Sequence, residues 1–209
     1  MYLTRMELDT SKRKTIMALT APKLFHGAIE QALVERDRKL WRIDKIGMKT
    51  YLLLVTKEKP DMTSAAEQFG TVYGWETRNY SPYLENIHVG EKRRFRLTAN
   101  PVITKSRGTG KHGDVLNHVT VLQQEQWLMD RAEKHGFHLQ TDEFSVVESH
   151  WISFFKGNDR LKKVIFLAVT FEGILTVTNE ALLRDTLQNG IGREKAYGCG
   201  MMTILRSDL

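Results

Sequence analysis

The chain is poor in the features that hold together or export small secreted domains. It has one cysteine, Cys199, which excludes an internal disulfide and any zinc site built from several cysteines, and fits a reducing cytosol. Four prolines and 15 glycines are too few for a collagen-like or low-complexity chain. No apolar run approaches the roughly 18 residues that span a bilayer; the longest, Tyr51–Thr56 and Val164–Thr170, are strand-sized. Residues 1–7 show no basic segment followed by an apolar stretch and a small-residue cleavage site, so no secretion signal is expected, and the cytoplasm is the expected compartment. No His-Glu-x-x-His is present, and His135 and His138 lack a third ligand nearby in sequence, so neither a metal nor another cofactor is expected.

What is there is an ordinary globular balance. A chain 41% hydrophobic and 27% charged is not disordered, and 209 residues admit one large domain or two small ones. Thirty-one Lys plus Arg against 25 Asp plus Glu give a net charge of +6, which admits a polyanionic partner. The charge is segregated. Seven basic residues and no acidic one lie between Lys92 and Lys111: Lys92, Arg93, Arg94, Arg96, Lys105, Arg107 and Lys111. A second cluster, Lys156, Arg160, Lys162 and Lys163, opposed only by Asp159, surrounds an expected turn at Gly157-Asn158. Acidic residues collect on helix-like stretches such as Glu30–Asp37 and Glu125–Glu133. One face meeting phosphate would produce this pattern; so would a solvated loop and a solvated hairpin tip.

Periodicity predicts the element order. Residues 1–8 read as a strand, Ser11–Lys14 as a basic turn, and Thr20-Ala21-Pro22 as a helix start. Leu24, Phe25, Ala28, Ile29, Ala32 and Leu33 carry a helical stripe to about Asp37. Leu40–Ile46 and Lys49–Val55 form a hairpin about Gly47. A short helix from Asp61-Met62-Thr63 to Phe69 precedes an extended Thr71–Tyr80. The second half repeats the rhythm: strand Lys92–Ala99, a Gly/Lys loop over Lys105–Asp114 and helix Gln123–His135. Strands Phe144–Phe154 and Leu161–Phe171 follow, then helix Asn179–Leu187 capped by Asn179, and strand Gly198–Leu205. Two α+β halves of β-α-β-β-α-β order predict two tandem ferredoxin-like domains, about residues 1–88 and 89–209.

Three places carry candidate chemistry. The run from Gly190 to Gly200 spaces its glycines G-x-G-x5-G-x-G, after a helix and before a strand, the reverse of a dinucleotide fingerprint. Its glycines permit backbone amides to approach a phosphodiester, with Arg193 and Lys195 beside them; a helix cap plus turn explains Gly190 but not the others. His26 lies in the first turn of the first helix, three residues after Lys23. Imidazole titrates near neutral pH, so His26 can pass a proton, while a protonated Lys23 stabilises phosphorane charge. Glu30 and Glu35 are expected on a solvated helix face, and no Ser-His-Asp grouping can be assembled.

Three stretches in order resemble one family: Phe95-Arg96-Leu97-Thr98-Ala99-Asn100-Pro101, Phe171-Glu172-Gly173-Ile174-Leu175-Thr176-Val177, and the glycine-rich run ending Gly198-Cys199-Gly200-Met201-Met202. With Met1-Tyr2-Leu3 and Leu24-Phe25-His26, they make the chain similar to CasE, the repeat-processing endoribonuclease of type I-E CRISPR systems. The resemblance runs from the first strand to the last. It implies two ferredoxin-like (RAMP-type) domains, and metal-independent cleavage of CRISPR repeat RNA at the 3′ base of its hairpin. The products would carry a 5′-hydroxyl and a 2′,3′-cyclic or 3′ phosphate, and the enzyme would stay on its product as a Cascade subunit. It places the catalytic histidine at His26. Where members carry a tyrosine three residues earlier, this chain has Lys23, so the second catalytic group is Lys23, or Lys195 or Tyr197 contributes. The basic hairpin maps onto Lys156, Arg160, Lys162 and Lys163, which would see mostly phosphate and shape on A-form RNA. Arg96, Lys105, Arg107, Lys111, Gly192, Arg193, Lys195 and Tyr197 complete the expected RNA contacts. The rival reading is a repeat-RNA-binding scaffold subunit whose catalysis is impaired; an RRM module is disfavoured by the absence of its stacking-aromatic pattern.

Overall fold

A computed structural model of the chain describes residues 1–35, 37–105, 108, 113–156 and 162–206. The first half runs β1 (Tyr2–Leu8), α1 (Arg13–Thr20), α2 (Lys23–Gln31), β2 (Leu40–Ile46), β3 (Lys49–Thr56), α3 (Thr63–Phe69), β4 (Gly70–Asn79) and α4 (Ser81–Glu85). Its four strands stand in the order β2-β3-β1-β4, all pairs antiparallel. The second half runs β5 (Lys92–Ala99), β6 (Val102–Lys105), β7 (Asp114–Asn117), α5 (Val121–Ala132), β8 (Phe137–His138), β9 (Phe144–Phe155), β10 (Lys163–Val177), α6 (Glu180–Asn189) and β11 (Met202–Arg206). In its sheet β11, β5 and β10 are neighbours in that order, and β9 and the short β8 both pair with β10. Setting aside β6, β7 and β8, both sheets have the order second-third-first-fourth. The chain is two ferredoxin-like α+β units.

Several local expectations change. Ser11–Lys14 is not simply a turn, because α1 begins at Arg13. That helix buries only Thr15 and Ala18 and has no side-chain cap, so its eight residues lack the start signal that marks α5 and α6 in the sequence. Tertiary contact holds it instead: the Thr15 hydroxyl donates to the Phe69 carbonyl at 3.0 Å. α2 stops at Gln31 rather than near Asp37, its end closed by the Ala32 amide on Ala28 and Ile29 carbonyls. The expected Lys105–Asp114 loop lies largely outside the described residues, while Val102–Lys105 and Asp114–Asn117 on either side pair as a two-stranded ribbon, β6 against β7. β10 extends to Val177, and β11 begins at Met202 because Gly198 and Gly200 hold positive φ. The predicted cap of α6 is observed: the Asn179 side chain accepts the Leu182 amide at 3.0 Å.

The halves are packed together. Leu40 and Val55 of the first sheet share one buried cluster with Phe95, Leu97 and Ile204 of the second. The connection is pinned where the Tyr83 hydroxyl donates to the Ile204 carbonyl at 2.6 Å and Arg184 donates to the Leu84 and Ile87 carbonyls. Buried polar groups cross the same boundary. Arg42, 2% exposed, grips Asp44 through both carboxylate oxygens at 2.8 and 2.7 Å. It also donates to the Arg96 and Met201 carbonyls and the Thr203 hydroxyl. A guanidinium supplies five donors in a rigid fork, and here the two sheets share them.

Candidate active site and nucleic-acid interface

α2 presents Phe25, Ala28 and Ile29 to the first core, which leaves Lys23, His26 and Glu30 along its opposite side. His26 is about one-third exposed, yet its Nδ1 is enclosed and makes no hydrogen bond among the described residues. Its neighbour one turn on is Glu30, whose Oε1 lies 3.8 Å away. Glu30 is not on a solvated face, as the sequence suggested, but on the wall of a cleft of about 510 Å³. Asp37, Arg38, Lys39, Trp41, Lys195 and Ala196 share that cleft with His26. Lys39, nearly buried, reaches Glu30 at 2.8 Å. Composition gave no signal for Glu30 and Lys39; the i, i+4 spacing of His26 and Glu30 is the one clue the sequence held.

Lys23 extends to the end of the β9–β10 hairpin, where its ammonium donates to the Phe155 carbonyl at 2.6 Å. Tyr197 closes the other side of His26: the rings meet edge to face, centroids 6.3 Å apart. Tyr197 is itself held against Phe154 and Phe166. Burial, with the nearby Glu194 charge, holds its hydroxyl above the usual phenol range. The structure therefore brings His26, Lys23, Lys195 and Tyr197 to one locality.

The glycine-rich run has a conformational explanation at all four glycines. Gly190, Gly192, Gly198 and Gly200 have φ between 71 and 88°. At Gly190 a Cβ would sit 2.6 Å from the Gly200 carbonyl; at Gly198 it would stand 3.1 Å from the Trp41 ring. Lys195 caps α6 by donating to the Asn189 and Gly190 carbonyls at 2.7 and 3.0 Å. Burial, reinforced by the Arg38 charge, pulls its amine below the usual lysine range. Arg193 is exposed on the same loop.

The basic segment 92–111 divides. Lys92 pairs with Glu143, and Arg93, buried, pairs with Glu91. Arg96 pairs with Asp44 and Glu172 at the junction of the sheets, so its charge is balanced inside the protein. Strand alternation explains this: β5 sends Arg93 into the core side and Arg94 and Arg96 to the other. Lys105, Lys156, Lys162 and Lys163 are exposed. Arg107, Lys111, Arg160 and the expected Gly157-Asn158 turn lie outside the described residues.

Known proteins match this arrangement along its whole length. The family model for CRISPR-associated protein matches residues 1–206. The chain belongs to that family. Among relatives of this CRISPR-associated protein, the CRISPR-associated endoribonuclease Cse3 of Thermus thermophilus is 29% identical over 222 residues, 98% of this chain and 99% of the relative. The Cascade subunit CasE of Escherichia coli is 27% identical over 122 residues, 56% of this chain and 60% of the relative. A solved structure of CRISPR endoribonuclease Cse3 bound to a 19-nucleotide RNA superposes with a TM-score of 0.82 at 26% identity, over 98% of this chain and 100% of that one. The resemblance to CasE read from the sequence holds for this CRISPR-associated protein.

Proposed function

We propose that this protein is a metal-independent endoribonuclease that binds the CRISPR repeat hairpin, cuts precursor RNA at the 3′ base of the stem, and stays on the product as a Cascade subunit. The observation that carries the reading is His26, exposed on a cleft beside Lys23, in a family whose relatives are named an endoribonuclease and a Cascade subunit. Support comes also from exposed Lys156, Lys162 and Lys163 on the hairpin arm above Lys23, which give the duplex a phosphate-binding edge. Lys105 and Arg193 extend that edge. Residues 1–88 and 89–209 are the corresponding domains, working in the cytoplasm.

In this mechanism the 2′-oxygen of the nucleotide before the cut attacks phosphorus while its proton leaves. The bond from phosphorus to the 5′-oxygen breaks, and that oxygen takes a proton. His26 handles the proton at the reacting oxygens, and the Lys23 ammonium faces the charge that builds on the phosphorane. The 5′ fragment ends in a 2′,3′-cyclic phosphate and the 3′ fragment in a 5′-hydroxyl.

Single-turnover cleavage of an end-labelled cognate hairpin in EDTA tests this. Wild type should cut once, while His26→Ala and a substrate with 2′-deoxy at the cut should bind and remain whole. Tight binding by wild type without cleavage would instead make the protein a repeat-binding scaffold.

A further inference from the structure

His26 poses a problem that its own helix answers. A histidine that moves protons needs one nitrogen facing substrate and the other held, so that tautomer and ring orientation are fixed. Here Nδ1 is the enclosed nitrogen, without a hydrogen bond among the described residues, which leaves Nε2 for RNA. Several charged groups surround the ring. Lys23 and Glu30 come from its own helix; Asp37, Arg38 and Lys39 from the strand approach; Lys195, with the Tyr197 ring edge to face, from the glycine-rich loop. Most are committed elsewhere: Asp37 to Lys57 at 2.8 Å, Lys195 to the carbonyls that end α6, Lys23 to the Phe155 carbonyl. Glu30 is the carboxylate within reach of Nδ1, and the same Oε1 that lies 3.8 Å from the imidazole lies 2.8 Å from the Lys39 ammonium.

We infer that Glu30 is the positioning residue of His26, accepting the Nδ1 proton and turning Nε2 toward the RNA, with Lys39 competing for the same carboxylate oxygen. The inference rests on the proton-transfer role of His26. A shift of the ring or carboxylate by less than 1 Å converts 3.8 Å into a hydrogen bond, and catalytic contacts are commonly long before substrate binds. Lys39, with its side chain 9% exposed, cannot swing into solvent freely, so it draws Glu30 away from the ring by a fixed attraction.

The geometry makes two single substitutions act in opposite directions although both break the same ion pair. Glu30→Gln removes the charge facing Nδ1; Lys39→Met releases that charge to the ring. The experiment is the pH profile of single-turnover cleavage in EDTA for wild type, Glu30→Gln, Glu30→Asp, Lys39→Met and His26→Ala, with hairpin affinity and thermal melting measured alongside. The midpoint of the limb governed by His26 should move toward acid in Glu30→Gln and toward alkali in Lys39→Met. The Glu30→Gln rate at neutral pH should fall roughly 10-fold at unchanged RNA affinity, and Glu30→Asp should restore part of it. Shifts in the same direction, or no shift in either variant, would mean that the ion pair merely holds the helix, and the inference fails. If Glu30→Gln does not fold, the direction of the Lys39→Met shift decides alone. If His26→Ala cleaves as wild type does, the proton-transfer reading has failed first.

Discussion

Tyr197 stands edge-on to His26, their ring planes 71° apart, while its opposite side rests on Phe154 and Phe166. A residue of the glycine-rich loop thus forms one wall for a residue of α2, 171 positions away in the chain. The rings meet edge to face, and burial with the nearby Glu194 charge raises the hydroxyl above the usual phenol range. Tyr197→Phe should therefore cleave within about threefold of wild type, because it keeps the ring. Tyr197→Ala removes a buried aromatic wall, a change that costs about 3–5 kcal/mol in a full core and less at this partly exposed site. It should lower both the melting temperature and the single-turnover rate. A Tyr197→Phe variant as slow as Tyr197→Ala would assign chemistry to the hydroxyl.

Lys23 stands three residues before His26 on α2, and its ammonium donates to the Phe155 carbonyl at the far end of β9. As the charge-stabilising group, its loss in Lys23→Ala should reduce cleavage about 100-fold, equivalent to about 2.7 kcal/mol of transition-state stabilisation. Lys23→Arg, which keeps the charge, should stay within about tenfold of wild type. Rates measured at saturating RNA separate this from weaker binding; equal losses in both variants would point to the Phe155 tether instead.

Arg42 and Asp44 bind the two sheets by a buried ion pair whose remaining donors reach Arg96, Met201 and Thr203. Removing one partner strands the other charge, so Asp44→Asn or Arg42→Met should each lower stability by about 3–5 kcal/mol in urea denaturation. The double replacement Arg42→Met with Asp44→Asn should cost markedly less than the sum. Additive losses would show that the pair is not coupled.

Glu194 carries a carboxyl that burial pushes above its ordinary value of 4.5, partly offset by Arg193 and Lys156. A group raised on folding favours the fold while protonated, and that contribution fades as pH climbs through the raised value. Glu194→Gln never ionises. Its melting temperature relative to wild type should therefore improve from pH 4 to pH 7. An advantage that shrinks over this range would contradict the assignment of burial as the dominant cause.

Local pattern carried most of the fold. Strand alternation around Gly47, the Asn179 cap and the apolar stripe Phe25, Ala28, Ile29 are determined within a few residues of where they act, so they were legible without any partner. The short helix α1 was not, because no capping side chain marks its start and a contact with Phe69 helps to hold it. The same distinction governs the site. His26 and Lys23 stood out as candidate proton and charge carriers, three residues apart in one helical turn. Glu30 read as one more acid on a polar helix face until the approach to β2 laid Lys39 across it and closed the cleft.

What the sequence determined by itself is the order of two βαββαβ units and the positive balance of the chain. Tertiary structure alone decided which charges remain for a ligand. Lys92, Arg93 and Arg96 lie in an unopposed basic run when read along the chain, yet Glu143, Glu91, Asp44 and Glu172 neutralise them in space. Coulomb attraction acts through distance in three dimensions, and pairs such as Arg96 with Asp44, 52 residues apart, exist only once two sheets have met.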